Sequence, residues 1–343
     1  MYLKGIMSDM KKYLILICAV LMLMLAACNN QVVNIDDVTE SVADGEDTET
    51  VSSTQSEKFT DNTEADPQPV KKDITSMEKL TKVDGVRSVA KQTFKSQING
   101  AVAYKVLYES ENGKLSADVV LPTDYNSENK KYPVLIYFPQ ITMPIETLAS
   151  YYALNGIILI RPYARGYGES EGARDLGGEK DLADSKTLLE IFDSASFIEN
   201  SKIFVAGSSE GSVNALRLFA EDSEKRISGC AVIDVISDLP AFAEFRGQGV
   251  KTLFENLIGK TYEEAPEEYD KRSAVKFSEK LDRPILIIHY TQVPIMSVEQ
   301  TDALYDLIKD NNKDSAYYKI DALSGDFQGE GLNRLLSFIN KYD

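Results

Sequence analysis

The chain has 343 residues, 54 of them acidic and 37 basic, for a formal charge of −17. A surface so negative repels phosphate backbones and anionic headgroups, which excludes nucleic acid as a partner. The 43% hydrophobic content supports a sizeable core, and one histidine and three cysteines restrict the chemistry sharply.

Taken in chain order, the first element is an address. Met10-Lys11-Lys12 precedes the apolar run "YLILICAVLMLMLAAC", which ends at Cys28. A short basic start, an apolar centre and small residues before a cleavage point describe a secretory signal, and Met10 opens it more typically than Met1. Leu25-Ala26-Ala27-Cys28 resembles the lipobox of bacterial lipoproteins. That resemblance implies a signal segment with lipobox at 1–28, cleaved before a lipidated Cys28, which becomes the new N-terminus. The expected location is the extracytoplasmic side of a bacterial cell membrane, with the bilayer as a partner through acylated Cys28. Cys18 then leaves with the signal, and Cys230 alone remains, in the strand-like run "SGCAVIDV". No internal disulfide or thiolate metal cluster is possible.

Residues 29–75 are rich in Asp, Glu, Ser, Thr and Asn, with little apolar content. Such a stretch cannot bury enough surface to offset its chain entropy. As a flexible coil, these roughly 45 residues average about 40 Å end to end, and like charges extend them further. The segment reads as a tether for a folded domain at 76–343.

Within that domain, "AVAYKVLYES" and "KLSADVVLP" predict a hairpin around Glu111-Asn112-Gly113. "YPVLIYF" (132–138) and "GIILIRPY" (156–163) are nearly continuous apolar runs, as in strands buried on both faces. Between them "IETLASYYALN" has helical spacing. "LADSKTLLEIFDSA" predicts another helix, "KIFVAG" a strand, and "EGSVNALRLFA" a helix behind it. "GCAVIDVI" and "PILIIHY" are further buried strands. "VEQTDALYDLIKDNN" predicts a helix with Leu304, Leu307 and Ile308 on one side, and "SAYYKID" with "GLNRLLSFINKY" closes the chain as strand and helix. The acidic run Tyr262–Asp270 reads as a solvated segment over a pocket mouth. Strands alternating with helices predict an α/β architecture, a mainly parallel sheet covered by helices on both faces.

Gly207-Ser208-Ser209-Glu210-Gly211 lies between a buried strand and an amphipathic helix, the context of a G-x-S-x-G nucleophile elbow. Ser209 takes the nucleophile position, and the backbone N–H of Glu210, at a helix N-terminus, points at a developing oxyanion. This order of elements resembles the α/β-hydrolase fold, and within it the catalytic domain of prolyl-oligopeptidase-type serine peptidases. The resemblance rests on "RPYARGYGESEG", "VAGSSEGS", "APEEYDKRSAVKFSEKLDRPILIIH" and "QTDALYDLIKDN". The first is also similar to the R-G-x-G-x-S-x-G segment of cocaine-esterase-like and Xaa-Pro dipeptidyl-peptidase-like hydrolases. The large prolyl peptidases carry a β-propeller before this domain, for which the length here leaves no room.

The resemblance implies a Ser-acid-His triad, and the expected partners are missing. Relatives read His-Gly-Thr-x-Asp-x-x-Val-Pro after the strand; this chain reads His289-Tyr290-Thr291-Gln292-Val293-Pro294, without the Asp. Where relatives show Gly-x-x-His-x-Phe, it reads Ala322-Leu323-Ser324-Gly325-Asp326-Phe327, with Gly325 at the base position. His289 matches a strand-end histidine of structural role. Asp326 could face Ser209, but a carboxylate of pKa about 4 is a poor base for a serine. On the oxyanion side, Phe138-Pro139-Gln140 replaces the usual Gly-rich loop; proline has no N–H, and Gln140 remains as a donor. Arg165 and Tyr167 are candidate pocket residues for a carboxylate or peptide terminus, with structural pairing to acids as the alternative. No cofactor is implied: transition metals lack a ligand set, although an all-oxygen calcium site stays open.

Two functional readings follow. In the first, the domain is degenerate and binds a peptide, ester or cell-envelope ligand in the old pocket. In the second, it is an unconventional serine peptidase or esterase.

Overall fold

The computed structural model describes residues 74–93, 100–111, 113–139, 145–323, 327 and 329–342, without the side chains of 146–148 and 150. Cys28, residues 29–73 of the tether, Asn112, Gln140 and Asp326 lie outside the described residues, whereas Ile74 is buried and bridged to Ala195.

The apolar runs form a nine-stranded sheet. Its strands are β1 (Val86–Lys91), β2 (Ala101–Ser110), β3 (Gly113–Pro122), β4 (Tyr132–Phe138), β5 (Ile158–Pro162), β6 (Ile198–Ser208), β7 (Ile227–Ile233), β8 (Ile285–Tyr290) and β9 (Ala316–Ile320). The spatial order is β1-β2-β3-β5-β4-β6-β7-β8-β9. The hairpin β2–β3 pairs in register from Ala101 with Pro122 to Ser110 with Gly113. β3 joins β5 antiparallel, and from β5 onward all pairings are parallel. Successive side chains of a strand face opposite ways, so each strand feeds two cores. Val134, Ile136, Ile285 and Ile287 enter one, while Leu135, Tyr137, Leu286 and Ile288 enter the other. That double burial is why β4 and β8 read as unbroken apolar runs.

The described residues also form eight α-helices: α1 (Ile145–Leu154), α2 (Glu179–Asp193), α3 (Glu210–Ala220), α4 (Leu239–Arg246), α5 (Gln248–Ile258), α6 (Pro266–Asp270), α7 (Val298–Ile308) and α8 (Gly329–Lys341). None of the described helices is long and apolar enough to cross a membrane. β1, α4 and α5 escape the sequence reading, although Asp238-Leu239-Pro240 carries a start signal. The Asp238 side chain accepts from the Ala241 N–H at 3.0 Å, and Pro240 sits in the first turn, where its missing N–H costs nothing.

Three expectations need correction. In α7, Leu304 and Ile308 are buried but Leu307 is exposed, because the buried stripe follows an i, i+4 step. The run Tyr262–Asp270 is not purely solvated: α6 forms within it, and Tyr269 is buried with its hydroxyl donating to the Lys260 carbonyl at 2.9 Å. α2 begins at Glu179, ahead of the expected start. Cys230 is a free, buried thiol in the core.

Candidate active site

The elbow is built from backbone geometry. Ser209 sits between β6 and α3 at φ 50° and ψ −120°, a conformation that non-glycine residues rarely adopt. Strain of this kind costs on the order of 1–3 kcal/mol and survives only where the surroundings over-determine it. Here the Ser209 N–H donates to the Ile233 carbonyl at 3.1 Å. The Ser209 carbonyl accepts from the Ser212 N–H at 3.0 Å and the Ser212 hydroxyl at 2.5 Å. Ser212 Oγ in turn accepts from the Ile236 N–H at 3.0 Å, tying the elbow to the end of β7.

Both glycines of the motif are required by close backbone approach. A Cβ on Gly207 would collide with the Gly211 carbonyl, and one on Gly211 with the Phe138 carbonyl at the end of β4. Strand and helix therefore meet with no room for a side chain.

Among the described residues, the Ser209 hydroxyl faces a thioether. Ser209 and Met296 are each 7% exposed, and Oγ lies 3.9 Å from the Met296 sulfur. A thioether is a weak acceptor and takes no proton near neutral pH. Met296 belongs to an apolar cap built by Leu176, Val213, Phe242, Phe254 and Tyr269, from α3, α4, α5, α6 and the loop before α2. The loop carrying it, between β8 and α7, is where the resemblance places the catalytic acid. Its start is pinned to the chain after β9: the Thr291 N–H donates to Ile320, the Gln292 N–H to Ala322, and both side chains to Asp321. These polar groups bind one another.

The histidine is committed elsewhere. His289 is buried near the end of β8, its Nδ1 3.3 Å from Thr301 Oγ1 and 3.3 Å from Asp234 Oδ1. Burial first, then the Lys319 charge, pulls its pKa below the ordinary value, so the ring is neutral at neutral pH. Asp234 is 2% exposed and follows β7 at φ 47°. Its Oδ1 accepts the Tyr290 N–H at 2.9 Å, and burial pushes its carboxyl up to about 7. The trio fastens β7, β8 and α7 together.

Glu210 opens α3, which makes its N–H one of the helix's unpaired leading donors. Its carboxylate pairs with Arg174, whose guanidinium lies 5.5 Å from the centre of the Tyr167 ring. Tyr167 is thus linked to the first turn of α3 through Arg174. Arg165 takes the other expected role. It is buried and its Nη2 donates to Asp184 at 2.6 Å, so it anchors its loop to α2. Pro139 follows Phe138 and offers no N–H at the oxyanion side. Sequence reasoning misses Met296, Arg174 and Asp234, because their roles come from contacts between distant segments.

Among solved structures, similar folds include the acetyl xylan esterase of Paenibacillus sp. R4, with TM-score 0.61 and 15% identity over 77% of this chain and 91% of that one. Dipeptidyl peptidase 4 of Porphyromonas gingivalis matches with TM-score 0.56 and 15% identity, over 71% of this chain and 36% of that one. These likenesses identify the fold as that of the α/β-hydrolases. In sequence, the chain is 25% identical over 162 residues to the uncharacterized peptidase YtmA of Bacillus subtilis (strain 168), spanning 47% of this chain and 62% of that protein. No family model matches.

Proposed function

We propose that this protein is a lipid-anchored α/β-hydrolase-fold protein of the bacterial envelope that binds a peptide, ester or cell-envelope ligand in the old active site without turning it over. The observation that carries this reading is the thioether of Met296 at 3.9 Å from Ser209 Oγ, in a chain whose single histidine is tied to Thr301 and Asp234. A serine hydroxyl needs an adjacent base to become a nucleophile. Without one, catalysis falls to the roughly 10³–10⁴-fold over water that binding and oxyanion donors supply. The peptidase and esterase names among the similar proteins suggest the ligand class, an acyl compound such as a peptide or ester.

The strained elbow favours a second reading, an active serine peptidase or esterase, because that backbone cost is retained. Turnover separates the two. Hydrolysis of 4-nitrophenyl acetate and of aminoacyl 4-nitroanilides is expected at equal rates in the wild type and Ser209→Ala. A Ser209-dependent excess of about a hundredfold, the scale of general-base catalysis, would establish the second reading.

Anchoring rests on Leu25-Ala26-Ala27-Cys28. Growth with a clickable palmitate analogue should label the wild type and leave Cys28→Ala unlabelled. Equal labelling of the two would remove the anchor from the account.

A further inference from the structure

The buried and half-buried arginines of this acidic chain nearly all have an acid. Arg161 pairs with Asp118, Arg165 with Asp184, Arg217 with Glu179, Arg272 with Asp175 and Glu268, and Arg283 with Asp222. Arg246, half-buried at the end of α4, breaks the pattern: no carboxylate among the described residues lies within ion-pair distance of it. On α4 the residues three and four before it are Ala243 and Phe242, and the helix ends at Arg246, so its own helix face supplies no acid. The adjacent Glu244 is taken by Lys251. Its guanidinium lies 5.8 Å from the Phe242 ring centre, and Nη1 donates to the Ile295 carbonyl at 3.0 Å. Burial pulls its pKa down with no acid to offset the cost.

The position matters. Ile295 immediately precedes Met296, which touches Ser209, so one short stretch of loop carries both the cation's anchor and the cover of the elbow. Phe245, next to Arg246 in the chain, is 50% exposed and Ile295, whose carbonyl holds the guanidinium, 42% exposed, two apolar side chains open to solvent.

We propose that Arg246 is the anion-recognising residue of the ligand pocket, taking the terminal carboxylate of a peptide whose last side chain is apolar. The assignment rests on the pocket reading proposed above. A guanidinium presents five N–H donors in a plane, and with one used on Ile295 the remainder fit a carboxylate as a fork. A single cation matches a single negative charge, while the net charge of −17 disfavours polyanions such as nucleotides. Phe245 and Ile295 give the neighbouring side chain an apolar seat.

The test uses the full chain and N-acetyl tetrapeptides ending in Leu or Phe, each as free acid and C-terminal amide, titrated by calorimetry. The free acids are expected to bind the wild type about 10- to 100-fold more tightly than the amides, the scale of a charge-assisted pair. Arg246→Gln should bring acid and amide to equal affinity, and Arg246→Lys should retain part of the preference. No binding of the acids at millimolar concentration, equal affinity of acid and amide for the wild type, or an undiminished preference in both variants would each overturn the assignment. Mass spectrometry of the recovered peptides separates the two claims. Cleaved peptide contradicts the non-catalytic reading, whereas the acid-to-amide ratio alone judges Arg246.

Discussion

Gly211→Ala should lower the melting temperature by roughly 2–12 °C, whereas Gly249→Ala should leave it unchanged or raise it slightly. The two positions are matched, each the second residue of an eleven-residue helix. In both, alanine gains about 1 kcal/mol of helix propensity over glycine. They differ in what the new methyl meets. At Gly249 there is nothing within 4 Å. At Gly211 it collides with the backbone carbonyl of Phe138, which belongs to a central strand and cannot swing aside as a side chain would. Overpacking a rigid site typically costs 1–3 kcal/mol and occasionally more, so sterics outweigh propensity. Thermal unfolding of both variants measures the contrast. Equal melting temperatures would mean that α3 and β4 do not meet so closely.

The second large effect is expected at Asp234. Its carboxyl is raised by burial from the ordinary 3.8 to about 7, so the fold favours the protonated form. Between those values the folded state binds more protons than the unfolded state, and stability falls as pH rises. The contribution is present below about pH 4 and lost progressively up to about pH 7. At about 1.4 kcal/mol per tenfold, the full difference is on the order of 4 kcal/mol. Asp234→Asn fixes the neutral form and keeps the oxygen that accepts the Tyr290 N–H. Asparagine also tolerates the positive φ of this position. Urea unfolding should give similar stability for both proteins near pH 4.5 and a variant more stable by roughly 2–4 kcal/mol at pH 8. His289 works in the opposite sense: its lowered pKa costs stability only as pH falls below its ordinary 6.5. His289 touches Asp234 and so its titration changes with the substitution; at pH 8, where the ring is neutral in the folded and unfolded states alike, the difference reports Asp234. Parallel pH profiles would show that the carboxylate is not penalised in the fold.

Much of the scaffold was legible because it depends on local pattern. β4 and β8 announced themselves as continuous apolar runs, and the hairpin turn after Ser110 as a Gly-containing break between alternating segments. The elbow was legible for the same reason, since Gly207 and Gly211 satisfy steric demands set within five residues. α4 and α5 were hidden because they pack as a cap on other helices rather than on the sheet, outside the strand–helix alternation that carries the fold. The site was legible at Ser209 and not in the groups packed around it. The absence of the acid and base from the spacing that the resemblance implies is a reading of the sequence alone. Met296 gives no such signal, because its contact with Ser209 joins residues 87 positions apart. Arg246 is equally silent: its significance lies in the acid that does not accompany it.

The central claim is that Ser209 has the posture of a nucleophile without a base to activate it. The direct measurement is the rate of covalent labelling by a fluorophosphonate, run beside an intact serine hydrolase under the same conditions. The expected result is labelling orders of magnitude slower than the reference and little changed by Ser209→Ala. Rapid stoichiometric labelling that disappears in Ser209→Ala would contradict the claim and place a working base within hydrogen-bond reach of the Ser209 hydroxyl.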